Sequence, residues 1–139
     1  MKISTKGRYG LTIMIALAKT YGQGPVPLRQ IASENDLSEA YLEQLVSPLR
    51  NHGLVKSVRG AYGGYMLGNE PSAISAGDVI RVLEGPIQPV EGIEEEAAAQ
   101  KHLWIQIRDA VKNVLDTTTI EDLANYTDTD LDDGYMYYI

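Results

Sequence analysis

The stretch SEAYLEQLVSPLRN, residues 38–51, predicts an amphipathic helix around which the rest of the chain is organised. Ser38 is a favourable N-cap, because its hydroxyl can accept a hydrogen bond from a backbone N–H two or three residues later. Apolar side chains then recur with the i, i+3, i+4, i+7 spacing of one helix face, at Leu42, Leu45, Val46 and Leu49. That face is therefore expected to be buried in a core.

The opposite face of this helix is polar and suits contact with DNA. It carries mostly short side chains, with a tyrosine and an arginine at its edges: Ala40, Glu43, Gln44, Ser47 and Asn51, flanked by Tyr41 and Arg50. Side chains of this kind can read base edges in a major groove. Most amphipathic helices also have a solvated polar face, so the next segment is needed to choose between the two interpretations.

The segment GLVKSVRGAYGGYML, residues 53–67, predicts a β-hairpin. Residues 55–59 have the pattern of a strand, and residues 65–67 form its partner. The glycines between them allow turns with positive φ, at Gly60, Gly63 and Gly64. Arg59 is then placed at the tip of the hairpin. A capped helix followed by such a hairpin is typical of a winged helix.

The N-terminal sequence predicts two more helices. The first spans about residues 5–21, and a short one spans residues 28–35. Only Asp36 and Leu37 separate the short helix from the helix that Ser38 begins. Two short helices joined so tightly indicate a helix-turn-helix. The predicted fold class is mainly α: a winged helix-turn-helix with a two-stranded wing and a long dimerisation helix.

The C-terminal half predicts three helices with clear start signals. Ser75 and Asp78 have capping-box spacing ahead of a helix that stops at Gly85. The longest helix spans about residues 97–115, and Thr119 caps a last short one. We expect residues 1–72 to form a DNA-binding domain. Residues 73–139 are expected to form a dimerisation and partner-binding region.

The longest helix carries an apolar stripe that resembles a coiled-coil seam. Its members are Leu103, Trp104, Ile107, Ala110, Val111 and Val114. Packing on the core of its own domain is one explanation. A homodimer interface is the favoured one, because the winged helix already has a core and a two-fold protein suits two DNA half-sites.

The charge of the chain is distributed unevenly. Its net charge is −7, which by itself argues against nucleic acid. Residues 1–67 nevertheless carry a net charge of +4, and residues 68–139 carry −11. A basic N-terminal part on an acidic body is compatible with DNA binding, and the acidic part would help to orient the molecule on DNA.

The sequence contains no recognisable catalytic or metal-binding set. Cysteine is absent, which excludes disulfides and thiolate clusters. His52 and His102 have no partner nucleophile in a known motif. The glutamates at 94–96 favour the start of the next helix over a metal site. The sequence thus predicts a binding protein without a cofactor, not an enzyme.

Two features bear on where the protein acts. Lys2, Lys6 and Arg8 precede the apolar run 11–18, which imitates a signal peptide. An amphipathic first helix capped by Ser4 or Thr5 explains the same residues better, because the run barely reaches the necessary length. No segment approaches the length of a membrane span. We therefore expect a cytoplasmic protein.

Three stretches of the chain together resemble the Rrf-two-type winged-helix regulators. They are the opening MKISTKGRYGL, residues 41–67 and ISAGDVIRVLEGPI at residues 74–87. The resemblance implies a dimeric DNA-binding repressor with a long crossing helix. It also implies DNA contacts from two elements, the helix with Ser38, Ala40, Tyr41, Glu43, Gln44 and Arg50, and the wing with Arg59, Gly60, Tyr62, Gly63, Gly64 and Tyr65.

The loop at about residues 85–100 departs from the cluster-binding members of this family, which carry three cysteines there. Within the family, the cysteine-free loop and the closing YMYYI are most similar to repressors of cysteine metabolism in low-GC Gram-positive bacteria. That similarity implies regulation of sulfur-metabolism genes and a complex with the enzyme O-acetylserine sulfhydrylase. The tip Tyr137, Tyr138 and Ile139 is the expected contact, with a terminal carboxylate beside a branched side chain.

Two other functions remain compatible with the sequence. One is a small-molecule or cluster sensor of the same family that uses His102 or residues 94–96 as ligands. The other is an adaptor that mainly inhibits an enzyme through its C-terminal tip. The basic residues near the DNA-contacting helix favour the repressor.

Overall fold

Six helices and a two-stranded antiparallel sheet make up the described part of the chain, residues 2–127, in a computed structural model. Their bounds are α1 Thr5–Lys19, α2 Leu28–Glu34, α3 Glu39–Asn51, β1 Val55–Val58, β2 Gly64–Leu67, α4 Ala76–Glu84, α5 Ala98–Thr117 and α6 Ile120–Asn125. Short 3-10 turns lie at Pro71–Ala73 and Ile93–Glu95. The predicted mainly α winged helix-turn-helix is confirmed.

The starts of the helices follow the predicted capping residues. The Ser38 hydroxyl accepts a hydrogen bond from the N–H of Tyr41 at 3.3 Å. Ser75 and Asp78 form the predicted capping box of α4, and Thr119 caps α6 through a second box with Asp122. Each box satisfies two backbone donors that a helix end would otherwise leave unpaired.

The core is built around α1, which contacts α3, α4 and α6. Its contributors from α1 are Ile13, Met14 and Leu17. The four apolar positions predicted for α3, Leu42, Leu45, Val46 and Leu49, are all buried. The C-terminal half adds Ile74, Val79 and Ile120 to the same cluster. The two halves of the chain therefore share one hydrophobic core.

The wing is joined to the rest of the fold by a third backbone segment. Strands β1 and β2 pair from Val55 opposite Leu67 to Val58 opposite Gly64. Val26 then pairs with Tyr65 through two hydrogen bonds of 2.9 and 2.8 Å. A Cβ atom on Gly64 would overlap the backbone of Val26, so only glycine permits this close approach.

Several element boundaries differ slightly from the predicted ones. Helix α1 ends at Lys19, before the predicted end at 21, and β1 ends at Val58, which leaves Arg59 in the turn. Helix α5 runs two residues further than predicted, to Thr117. Helix α3 ends at Asn51, as predicted, with Pro48 inside it. Boundaries of this kind depend on the last hydrogen bonds of each element, which sequence patterns do not specify.

Gly64→Ala should destabilise the fold by about 1–3 kcal/mol, because the added methyl group must displace backbone atoms of Val26. Urea unfolding followed by circular dichroism measures the change. Ala61→Ser, in the exposed turn of the same wing, is the matched control and should leave the midpoint unchanged. A Gly64→Ala midpoint equal to that of the control would contradict the close approach.

Candidate nucleic-acid interface

Helix α3 presents its polar face to solvent. Asp36 adopts a positive φ of 53° in the turn before it, which allows α2 and α3 to be joined by so few residues. Most of the predicted DNA-contacting side chains of this helix are exposed: Ser38, Ala40, Glu43, Gln44 and Arg50. Their exposure leaves them available to a ligand outside the protein.

Tyr41 differs from the other predicted contacts of α3. Its ring is half-buried and packs edge-to-face on Tyr9 of α1, with ring centroids 5.8 Å apart and an angle of 86° between the planes. Aromatic pairs in this geometry are favourable beyond the area that they bury. Tyr41 therefore also helps to fix α3 on α1.

The predicted wing residues divide into two groups. Arg59, Gly60 and Tyr62 are exposed, and the Tyr62 side chain is 95% exposed at the tip. Gly63, Gly64 and Tyr65 are half-buried. Gly63 donates to the carbonyl of Gly60 at 3.0 Å and closes the turn. The half-buried residues therefore shape the wing, and the exposed ones are available for contact with a ligand.

Lys6, at the start of α1, lies beside the polar face of α3 and was not among the predicted site residues. A groove of about 300 Å³ is lined by Lys6, Tyr41, Gln44, Leu45, Pro48, Val82 and Leu83. The available sequence signal was the basic opening of the chain, with Lys2, Lys6 and Arg8. Sequence alone could not show which of these cations faces α3.

Three cations on this side of the protein form no salt bridge in the described part of the chain, although Lys6 lies close enough to Glu84 to help lower the pKa of that carboxyl. Within residues 2–127, neither Lys6 nor Arg50 nor Arg59 forms an ion pair. Arg81 of α4 is instead paired with Asp116 of α5 at 2.7 Å, and its hydrogen bond lowers the pKa of Asp116. Unpaired cations remain available to phosphates, to which they contribute an electrostatic attraction that depends on salt.

Every residue of helix α5 is at least partly exposed to solvent in the described single chain. Three members of the predicted stripe are exposed, Leu103 by 47%, Ile107 by 38% and Val114 by 61%. Trp104 and Val111 are half-buried, and Ala110 is exposed. An apolar groove of about 320 Å³ is lined by Ile3, Ala110, Val111, Val114 and Leu115. A contiguous exposed apolar patch on a protein surface commonly marks an interaction site, whereas single exposed apolar residues do not.

The predicted contacts with the protein partner, Tyr137, Tyr138 and Ile139, lie outside the described residues. Among the helices within residues 2–127, none combines the length and the apolar character that crossing a membrane requires.

Comparison with known proteins identifies the class to which this geometry belongs. The sequence profile of the family described as "Rrf2: Iron-dependent Transcriptional regulator" matches residues 3–126. The chain is 71% identical over 139 residues to the HTH-type transcriptional regulator CymR of Bacillus subtilis (strain 168), with all of both chains covered. It is 39% identical to the HTH-type transcriptional regulator IscR of Yersinia enterocolitica, covering 92% of this chain and 82% of that one.

A solved structure agrees with these similarities. The solved structure of "CymR (YrzC) the Global Cysteine Regulator of B. subtilis" superposes with a TM-score of 0.87 at 73% identity, covering 91% of this chain and 98% of that one. The fold and the similarities define a winged helix-turn-helix transcriptional regulator, not an enzyme. The chain belongs to the Rrf2 family.

The iron dependence in the family description finds no matching ligands here. The chain has no cysteine, and within residues 2–127 no three His, Asp or Glu side chains converge on a point where a metal could bind. Glu94 is paired with Lys101 at 2.9 Å, and the hydrogen bond from Lys101 lowers the pKa of Glu94. The described residues, in a chain without cysteine, therefore do not fit an iron site of the family type.

Proposed function

We propose that this chain is a repressor of cysteine and sulfur metabolism genes that binds double-stranded DNA as a homodimer in the cytoplasm. The observation that carries the proposal is the 71% identity over the whole chain to CymR, a protein described as a global cysteine regulator. The exposed polar face of α3 and the unpaired cations around it support the same function. In this proposal residues 1–72 bind DNA, and residues 73–139 form the dimer and contact the protein partner.

Base recognition is assigned to the exposed side chains of α3. Gln44 can form a bidentate pair with the N6 and N7 atoms of adenine, and Glu43 can accept a hydrogen bond from the N4 amino group of cytosine. Ser38 and Ala40 lie at the N-terminal end of the helix, which is the end that enters the major groove in helix-turn-helix proteins. Tyr41 and Arg50 border this surface and contact the sugar–phosphate backbone.

The wing is assigned to the adjacent minor groove. Arg59 and Tyr62 project from a turn whose backbone at Gly60 carries no side chain, so the turn can approach DNA closely. Arginine is favoured in narrow minor grooves, where the electrostatic potential is strongly negative. Lys6 is added as a phosphate contact, because it lines the groove shared with Tyr41 and Gln44.

Arg59→Ala should weaken specific DNA binding by about 1–3 kcal/mol, because a desolvated arginine contact is lost while the wing backbone is unchanged. Fluorescence anisotropy with a duplex selected by the wild-type protein from random-sequence DNA measures the change. Lys19→Ala removes the same charge from the last turn of α1, at a residue outside the proposed DNA-contacting set, and serves as the control. Equal affinity of the Arg59 variant and wild type, at equal melting temperature, would refute the assignment.

The homodimer is proposed to form through α5. Leu103, Ile107 and Val114 leave apolar surface exposed in the single chain, and a second copy would bury it. The indole N–H of Trp104 is buried without an acceptor within residues 2–127. Because an unpaired buried donor is unfavourable, an acceptor from a second copy would stabilise this seam. Two winged helices related by a two-fold axis would then meet half-sites about 34–36 Å apart, or a multiple of this distance.

Ile107→Asp should dissociate the dimer, because association would bury a carboxylate without a partner. Analytical ultracentrifugation gives the dissociation constant. Gln106→Asp introduces the same charge on an exposed position of the same helix and should leave the dimer intact. If the Ile107 variant sediments as the wild type does, the interface lies elsewhere.

The protein partner is proposed to be O-acetylserine sulfhydrylase, bound through Tyr137, Tyr138 and Ile139. These residues lie outside the described part, so the proposal rests on their sequence and on the resemblance that implies this partner. An isoleucine preceded by aromatic residues suits a small pocket made for an amino acid. The substrate O-acetylserine would compete for that pocket and dissociate the complex by linkage.

Deletion of residues 137–139 should abolish binding of the sulfhydrylase and leave DNA affinity of the isolated regulator unchanged. Calorimetry with the purified enzyme, with and without O-acetylserine, measures the first effect, and anisotropy measures the second. Substitution of Thr129 and Thr127 by Ser provides variants with an intact tip. Equal enzyme affinities for wild type and deletion would exclude the tip as the contact.

A further inference from the structure

The start of α1 is capped differently from the starts of α4 and α6. In those two helices the N-cap hydroxyl accepts from the third helical residue, and the carboxylate of that residue accepts the N-cap N–H at 2.9 Å. In α1 the N-cap is Ser4, whose hydroxyl accepts from the N–H of Lys6 at 3.2 Å. The third helical residue is Gly7, which has no side chain. The reciprocal half of a local capping box is therefore missing.

Glu84, the last residue of α4, supplies the missing carboxylate acceptor, although it is 80 positions from Ser4 in the sequence. Its Oε2 accepts the N–H of Ser4 at 3.1 Å, and its Oε1 accepts the N–H of Gly7 at 3.0 Å. The Ser4 hydroxyl also donates to Oε1. One carboxylate thus satisfies two backbone donors of the first turn and orients the N-cap side chain, as the third residue of a capping box does in other helices.

Packing explains why α1 cannot supply its own carboxylate. A Cβ atom on Gly7 would lie 3.0 Å from the Ile80 side chain and 3.3 Å from that of Glu84. A Cβ atom on Gly10, one turn further, would overlap Leu83. Helices α1 and α4 therefore approach each other through the glycine face of α1. A glutamate in place of Gly7 would separate them.

The carboxylate of Glu84 is held in its charged form. The hydrogen bond from the Ser4 hydroxyl is the largest cause that lowers its pKa, followed by backbone donors of Ser4 and Gly7 and by the charge of Lys6, while burial opposes them. A negative charge at a helix N-terminus is itself favourable, because the helix dipole is positive there. Lys6 is thus close enough to Glu84 to interact with it electrostatically.

We propose that Glu84 is a positioning residue for DNA binding, which completes the cap of α1 and so holds Lys6 beside the recognition face of α3. Lys6 is the second residue of α1 and lies within the turn that Glu84 fixes. Its side chain lines the same groove as Tyr41 and Gln44. Without Glu84 the first turn frays, and Lys6 loses the fixed position from which it meets a phosphate. The proposal rests on the proposed function, because it requires that this face binds DNA.

Two substitutions separate positioning from charge. Glu84→Ala and Glu84→Gln remove the same negative charge, and loss of that charge alone would strengthen attraction to DNA equally in both. The glutamine keeps one oxygen, which can still accept from Ser4 or Gly7, whereas the alanine keeps none. We therefore expect operator affinity to fall about tenfold in the alanine variant and to be largely restored in the glutamine variant.

The experiment is a double-mutant cycle measured by fluorescence anisotropy over a range of salt concentrations, with the duplex selected by the wild-type protein. Lys6→Ala should lower the salt slope by about one unit for each protomer. In that background Glu84→Ala should no longer lower affinity and should bind as Glu84→Gln does, since the contact that Glu84 supports is already gone. In the Lys19→Ala background its tenfold effect should persist. Circular dichroism at the assay temperature confirms that every variant is folded.

The outcomes are distinct. An undiminished effect of Glu84→Ala in the Lys6→Ala background, or equal affinities of the alanine and glutamine variants, would overturn the positioning role while leaving DNA binding intact. If Glu84→Ala lowers the melting temperature and leaves the salt dependence of DNA affinity unchanged, Glu84 contributes to stability alone and the positioning role is overturned. A wild-type protein that selects no duplex would overturn the proposed function itself.

Discussion

The close contact between α1 and α4 is the constraint on which the rest of the structure depends. Gly7 and Gly10 let the two helices approach, and Glu84 then reaches the first turn of α1. Helix α1 also carries Ile13, Met14 and Leu17 into the core that α3 and α6 share. The orientation of the recognition helix is consequently set by a helix that is held at its own start by the C-terminal half of the chain.

The surface charges also differ between the two halves of the chain, since residues 1–67 are net positive and residues 68–139 are net negative. Two carboxylates of the second half are paired with cations of that half, Asp116 with Arg81 and Glu94 with Lys101. Lys6, Arg50 and Arg59 are exposed and form no salt bridge within residues 2–127. A regulator with a net charge of −7 can therefore present a positive surface to DNA and keep its acidic body away from it.

Much of the fold was predictable because its signals are local. The capping residues Ser38, Ser75 and Thr119 mark the helix starts, and the apolar spacing of α3 identifies the residues that are buried. The glycines of residues 60–64 predict the wing turn. Boundaries were less predictable, as at Lys19 and Thr117, because the final hydrogen bonds of an element depend on neighbours in space. The apolar stripe of α5 is visible in the sequence, but only the fold shows that Leu103, Ile107 and Val114 remain exposed in the single chain.

The sequence by itself determined the class of fold, the start and buried face of α3, the wing and the absence of cysteine ligands, because each depends on residue type and short-range spacing. Only the tertiary structure decided which basic residue stands beside α3, why Gly64 must lack a side chain, and where the cap of α1 comes from. Glu84 and Ser4 are 80 positions apart, and no pattern of spacing connects them. Their contact exists because helix packing brings the end of α4 to the start of α1, and packing is a property of the assembled core.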